Sequence, residues 1–191
     1  MSLFNPQDLR NVLQTDQRIL GLDPGSKTIG VALTDVSLML ASPFMGLKRR
    51  KLGENAKELA EITKRQNVGA LVVGLPLSLD GSFGPAARAA SDWTTALSER
   101  LGIPACLWDE RLSSSAVNRF LIQDADMTRG RRAEVVDKMA AAYMLQGWLD
   151  ATKPDLEKKG SWLRSHETHA NQNPENRKPN QNTQRQHKGG E

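Results

Sequence analysis

A chain of 191 residues, 38% hydrophobic and carrying 26 Lys/Arg against 22 Asp/Glu, has room for one domain with a sizeable core and some excess at its ends. Its only cysteine is Cys106, and its three histidines (His166, His169, His187) all lie beyond Asp150. That excludes an internal disulfide, a cysteine-cluster zinc site, and any Ser-His-Asp triad or imidazole metal ligand in residues 1–150, so catalysis there must rest on carboxylates, lysine or a bound metal.

The charge is unevenly spread. Residues 1–150 carry 18 Lys/Arg and 17 Asp/Glu, a net of +1, whereas residues 151–191 carry 8 and 5, a net of +3. The basic balance describes the tail more than the body, and says little about nucleic-acid binding by the fold. With no apolar run of about 18 residues and no basic-then-apolar start, the expectation is a cytoplasmic protein without membrane contact.

In chain order, residues 1–17 form a mixed extension with room for a turn or two of helix after Pro6. Residues 18–22 are apolar, stop at Asp23-Pro24-Gly25, and pair as a hairpin with the β-branched run 28–33. A third strand is expected over 41–47. The spacing of Leu52, Ala56, Leu59, Ala60 and Thr63 predicts a helix over 51–66. Residues 70–73 form a wholly apolar run closed by Gly74 and Pro76, the pattern of a strand buried on both faces. Pro85 opens a second helix with Ala86, Ala89, Ala90, Trp93, Leu97 and Leu101 on one face.

Residues 104–108 make a short strand ending in Asp109-Glu110-Arg111. Ser113 can cap a third helix, a polar loop covers 124–132, and a last helix carries Val136, Met139, Ala140, Tyr143, Met144 and Trp148 on one stripe. This order predicts an α/β fold in which a hairpin sheet is extended by parallel strands and flanked by helices. The domain spans 18–152. Residues 153–191 read as a disordered tail, since 165–191 hold no Leu, Ile, Val or aromatic residue to offset ordering entropy.

Three places offer carboxylates. Asp23 ends the first strand beside glycines Gly25 and Gly30, which permit a tight turn and close approach to a ligand; it reads equally as a cation ligand or as the start of an Asp-Pro-Gly turn. The pair Asp109 and Glu110 ends another strand, which opens on the same sheet edge if the two strands are parallel. Alternatively it is a helix-capping pair with Arg111 in a surface ion pair. Asp137 lies in the first turn of the last helix, where it would also complement the helix dipole. Two strand ends and a helix start supplying acids, with no histidine, is the donor set of a Mg²⁺ or Mn²⁺ site able to hydrolyse a phosphodiester.

The motifs ILGLDPGSKTIGVALTD, VVGLPLSLDGS, WDERLSSSAV and VDKMAAAYML, in this order, closely resemble the YqgF/RuvX family, RNase H-like proteins related to the Holliday-junction resolvase RuvC. The resemblance runs from about Ile19 to Leu149. It implies an RNase H-like three-layer fold with a mixed β-sheet, and a bacterial cytoplasmic nuclease acting at the 5′ end of pre-16S rRNA during ribosome maturation. It also implies Asp23, Glu110 and Asp137 as the catalytic, metal-binding acids, with Asp109 as substitute or helper. Lys27, Arg111, Arg129, Arg131 and Arg132 are the matched or neighbouring basic positions expected to meet phosphate, and 74–76 with 80–82 form the loop bordering the active edge. The run 48–51 is expected to be a solvated turn. Ser113 and Ser114 stand where threonines are usual, a mild departure.

Partners consistent with this are RNA or branched DNA, and a ribosomal particle, with the protein a monomer or weak homodimer. Competing readings are a Holliday-junction resolvase, a non-catalytic RNA-binding assembly factor whose acids are caps, and an actin-like ATPase lobe. The ATPase would need a second hairpin of this type, which the chain lacks.

Overall fold

The computed structural model describes residues 3–78, 80–109 and 129–154, the stretch 129–136 by its backbone alone. Met1–Lys153 forms one compact unit. Five strands make one sheet in the order β3-β2-β1-β4-β5, with β1 (Arg18–Pro24), β2 (Thr28–Thr34), β3 (Ala41–Lys48), β4 (Val68–Leu75) and β5 (Ala105–Asp109). β1–β2–β3 is an antiparallel meander, and β4 and β5 extend it in parallel with β1. The helices are α1 (Pro6–Asn11), α2 (Leu52–Arg65), α3 (Pro85–Leu101) and α4 (Arg129–Ala151). This is the expected mixed α/β architecture, with the strand order and directions of an RNase H-like fold.

Alternation along the strands splits the core into two layers. Leu20, Leu22, Val31, Leu71 and Val73 pack with Leu59 and Ile62 of α2 and Leu97 of α3. Ile19, Ala32, Ala70, Val72, Cys106 and Trp108 pack on the other face with Ala141, Leu145 and Trp148 of α4 and Leu9 of α1. β4 is covered on both sides, as its apolar run demands.

Two expectations about α4 need correction. The helix begins at Arg129, so Arg129, Arg131 and Arg132 lie in its first turn and not in a loop before it. Asp137 is therefore two turns inside the helix, beyond the range of the terminal dipole. The buried stripe is also rotated: Ala141, Ala142, Met144, Leu145, Trp148 and Leu149 are buried, whereas Met139, Ala140 and Tyr143 are half-buried. The segment from Met139 to Leu149 is apolar almost all round, so its sequence cannot choose a face. The choice is made by the sheet, where Gly21 and Gly30 leave space for the helix. A Cβ at Gly21 would lie 2.9 Å from Leu145 Cβ, and one at Gly30 only 2.1 Å from the carbonyl oxygen of Asp137.

The amino-terminal segment is part of this packing. Phe4 bridges Cys106 at the edge of β5, its N–H donating to the Ala105 carbonyl at 2.9 Å. Arg10 donates to the carbonyls of Leu149 (3.2 Å) and Leu38 (3.1 Å) and to Thr152 Oγ1 (3.1 Å), closing α1 over the carboxyl end of α4. Leu9 is fully buried between these parts. Leu9→Ala should cost about 2–5 kcal/mol, the usual range for truncating a buried leucine. Urea denaturation of the two chains measures this directly. The helix expected after Ser113 and the polar tail lie outside the described residues.

Candidate active site

β1, β4 and β5 run parallel, so Asp23, Leu75 and Asp109 end their strands on one edge of the sheet. Asp23 pairs with Gly30 across the hairpin, and such directly opposed residues stand about 5 Å apart. It shares its sheet face with Ile19 and Gly21, the face that α4 covers. Because Asp137's own carbonyl sits on Gly30, the helix delivers Asp137 to the strand position beside Asp23. Gly30 was expected to admit a ligand; what it admits is this helix backbone. Gly25 keeps its expected role in the turn, where a Cβ would stand 2.7 Å from the Thr28 carbonyl.

Burial pushes the Asp137 carboxyl above the ordinary aspartate range, opposed by a hydrogen bond from the Thr28 hydroxyl. Thr28, Gly30 and Ala32 share the face that α4 covers, so Thr28 is well placed to orient this acid. With a folded pKa above the unfolded value, the native state holds more proton between the two, and stability falls as pH rises through that window. The cost is complete above the folded pKa and absent below about pH 4, the ordinary aspartate value. In metal-free buffer, Asp137→Asn should therefore melt above the wild type at pH 7 and level with it near pH 3.5.

The other expected residues fall differently. Lys27 is exposed on the hairpin turn, free to meet a phosphate from solvent. Asp109 alternates with Trp108 and shares the face of Ala105 and Leu107, which pack toward α2 and α3. The pleat thus sets it on the face opposite Asp23, against the helper role considered for it. Glu110 and Arg111 lie outside the described residues, as do the side chains of Arg129, Arg131 and Arg132. Among the described residues no group of three or more His, Cys, Asp or Glu side chains converges as a metal site; Asp23 on β1 and the Asp137 backbone on α4 both neighbour Gly30.

The loop after β4 does reach this edge. Pro76 lines a cavity of about 190 Å³ beneath the Asp23 turn, together with Pro24 and Gly25. Further on, Gly81 adopts φ 84° and its N–H donates to the Ser78 carbonyl at 2.8 Å, closing a tight turn. Trp108 is only 8% exposed and packs among α4 residues, so it belongs to the core and is no stacking surface. Among the described residues, Phe83, 51% exposed, is the exposed aromatic; with Arg88 it lines an open groove that shares Ala89 with the cavity under the turn. Cys106 is buried and its thiol is pushed up to about 12 by desolvation, which removes it as a nucleophile.

One element was missed. The basic run 48–51 was expected to be solvated, and Lys48, Arg50 and Lys51 are exposed, but Arg49 is half-buried against the Asp23 turn. Its sequence signal is masked by the charges around it.

The fold and this edge define an RNase H-like α/β protein with acids at the ends of its central strands. A family model described as "RuvX: Holliday junction resolvase" matches residues 17–151, and the chain belongs to that family. It is 86% identical over 155 residues to a protein of Gluconobacter oxydans named "Putative pre-16S rRNA nuclease", covering 81% of this chain and 97% of that one. A relative of the same name in Gluconacetobacter diazotrophicus is 68% identical over 152 residues, covering 80% and 99%. Among solved structures, Thermus thermophilus RuvC in complex with a Holliday junction substrate is similar at 15% identity and TM-score 0.43, covering 67% of this chain and 91% of that one. The yeast mitochondrial Holliday junction resolvase Ydc2 is similar at 10% identity and TM-score 0.44, covering 83% and 89%. Among the described residues, no helix is long and apolar enough to cross a membrane.

Proposed function

We propose that the chain is a metal-dependent nuclease that hydrolyses phosphodiester bonds in the 5′-end processing of pre-16S rRNA in the cytoplasm. The observation that carries this is that Gly30, the strand partner of Asp23, lies against the backbone of Asp137. The capping explanation for Asp137 fails, because an acid two turns inside a helix has no terminal amides to satisfy. Its carboxyl is instead partly desolvated, with a hydrogen bond from the Thr28 hydroxyl, and desolvating a carboxylate costs stability that a bound cation would offset. An all-oxygen donor set fits Mg²⁺ or Mn²⁺. On this reading Asp23 and Asp137 hold the ion, with Glu110 as the third ligand. When bound, the ion supplies charge neutralisation and an activated water.

The chain's own groups do the rest. Thr28 fixes the orientation of the Asp137 carboxylate, and Lys27 draws a phosphate toward the turn from solvent. Arg111, Arg129, Arg131 and Arg132 supply further positive charge to the RNA backbone. Phe83 and Arg88 offer a surface on which an unpaired base next to the cut can stack. The names of the relatives support RNA as the substrate, and the family model's own description favours a second reading, cleavage of branched DNA. A cleavage assay on a 5′-extended 16S precursor fragment and on a four-way DNA junction, each with Mg²⁺ and with EDTA, tests the proposal. Metal-dependent cleavage of the RNA is expected. Cleavage of the junction alone would transfer the activity to the second reading, and cleavage unaffected by EDTA would remove the metal from it.

A further inference from the structure

Four consecutive basic residues join β3 to α2, and Arg49 is the one turned inward. Its N–H donates to the Lys27 carbonyl at 2.9 Å, and its Nη1 donates to the carbonyls of Pro24 (3.0 Å) and Gly25 (2.9 Å). One residue therefore grips the turn after Asp23 from both ends. The guanidinium lies over the ring of Trp93 on α3, 5.7 Å from its centroid, a cation–π contact that fixes its plane. Behind it, the fully buried Asn55 brackets the backbone: Nδ2 donates to the Lys48 carbonyl and Oδ1 accepts from the Arg50 N–H, both at 2.9 Å. The residue is held on both sides before it touches the turn.

The hairpin ladder holds Asp23 opposite Gly30 and Pro24 opposite Ile29, and the turn that follows borders a cavity of about 190 Å³ lined by Pro24, Gly25, Arg49, Pro76 and Ala86. On that side the carbonyls of Pro24 and Gly25 are held by the arginine. Releasing them lets the turn shift the carboxylate beside it, and a metal ligand needs one position.

We propose that Arg49 is a positioning residue for Asp23, locking the 24–27 turn so that the Asp23 carboxylate is preorganised for a divalent cation. This rests on the reading of Asp23 as a metal ligand. It makes a prediction opposite in sign to simple electrostatics. Removing a positive charge near a cation site should tighten cation binding. Removing a clamp that orients a ligand should weaken it, by about ten- to a hundredfold for an outer-shell partner.

Mn²⁺ titration calorimetry on the full chain decides, with thermal melting of each metal-free variant to establish folding. Arg49→Met should weaken Mn²⁺ binding by at least about tenfold. Arg50→Met, which removes the same charge from a residue paired with Glu54 and Glu58, should leave it unchanged. Arg49→Lys keeps the charge without the planar fork and should fall between wild type and Arg49→Met. If Asp23→Asn abolishes binding while Arg49→Met binds as tightly as wild type or more tightly, the inference is overturned and the Asp23 reading stands. If Asp23→Asn itself binds Mn²⁺ like the wild type, the Asp23 reading falls first. Should Arg49→Met not fold, Arg49→Lys carries the test alone, and a wild-type Kd there would overturn the proposal.

Discussion

Gly30→Ala should unfold or displace α4, with a loss of about 3 kcal/mol or more, at or beyond the upper end of overpacking costs. The added methyl would stand 2.1 Å from the carbonyl oxygen and 2.6 Å from the carbonyl carbon of Asp137. Those are backbone atoms of a helix, so no rotamer change relieves the clash. The helix must lift from β2, and Leu145, seated against Gly21, lifts with it. Stability and site are lost together, because the residue that clashes is the one that carries the acid. Gly53→Ala is the control. The nearest atom to its added methyl is Arg100 Nη1 at 3.6 Å, the end of a flexible side chain, and the helix gains up to about 1 kcal/mol from the change. Urea denaturation of the two variants should give shifts of opposite sign; a Gly30→Ala chain as stable as the wild type would mean that α4 does not rest on β2 at this point.

The second large effect is on chemistry. Asp23→Asn keeps the size and hydrogen-bonding shape of the side chain but removes its charge, so the fold should survive. Ion-based stabilisation of the reacting phosphate is worth several kcal/mol, and each ~1.4 kcal/mol is a decade of rate. Cleavage of the precursor RNA should therefore fall by about a hundredfold or more. RNA retention in a gel shift should persist, since Lys27 and the remaining basic residues are untouched. Loss of both activities would assign Asp23 to RNA binding, and loss of neither would remove it from the site.

The legibility of this chain followed the strength of its local signals. Strands were readable because β-branched and apolar runs are bounded by Asp23-Pro24-Gly25 or by Gly74 and Pro76, and each observed strand ends within two residues of the expected bounds. Helix α2 was readable from its spacing, though Ile62 and not Ala60 is buried, a small rotation of a face that keeps Ala56, Leu59 and Thr63. α4 was less so. An apolar surface almost all round hides the buried face, and the basic stretch at its start, with Gly130 inside it, reads as a loop. That misjudgement put Asp137 at a helix end, where an acid needs no further explanation; its true depth is what makes it informative.

The site showed the same limit. Asp23 and Asp137 were both visible as acids, but their common neighbour Gly30 emerges only from a register pair across a hairpin and from its own missing side chain. Neither has a sequence signature. Arg49 was hidden among basic neighbours, and its partner Trp93 lies far along the chain on another element. The amino-terminal segment offered the sequence only a turn or two of helix after Pro6, yet Leu9 and Arg10 tie α1 to the second core and to the carboxyl end of α4.

The central claim is that Asp23 and Asp137 hold one divalent ion between them. Mn²⁺ titration of wild type, Asp23→Asn, Asp137→Asn and the double variant tests it most directly. Two ligands of one ion act as a unit, so their effects should not add: each single variant should lose most of the affinity, and the double variant should be no worse than the weaker single. An isotherm indistinguishable from wild type in either single variant would contradict the account.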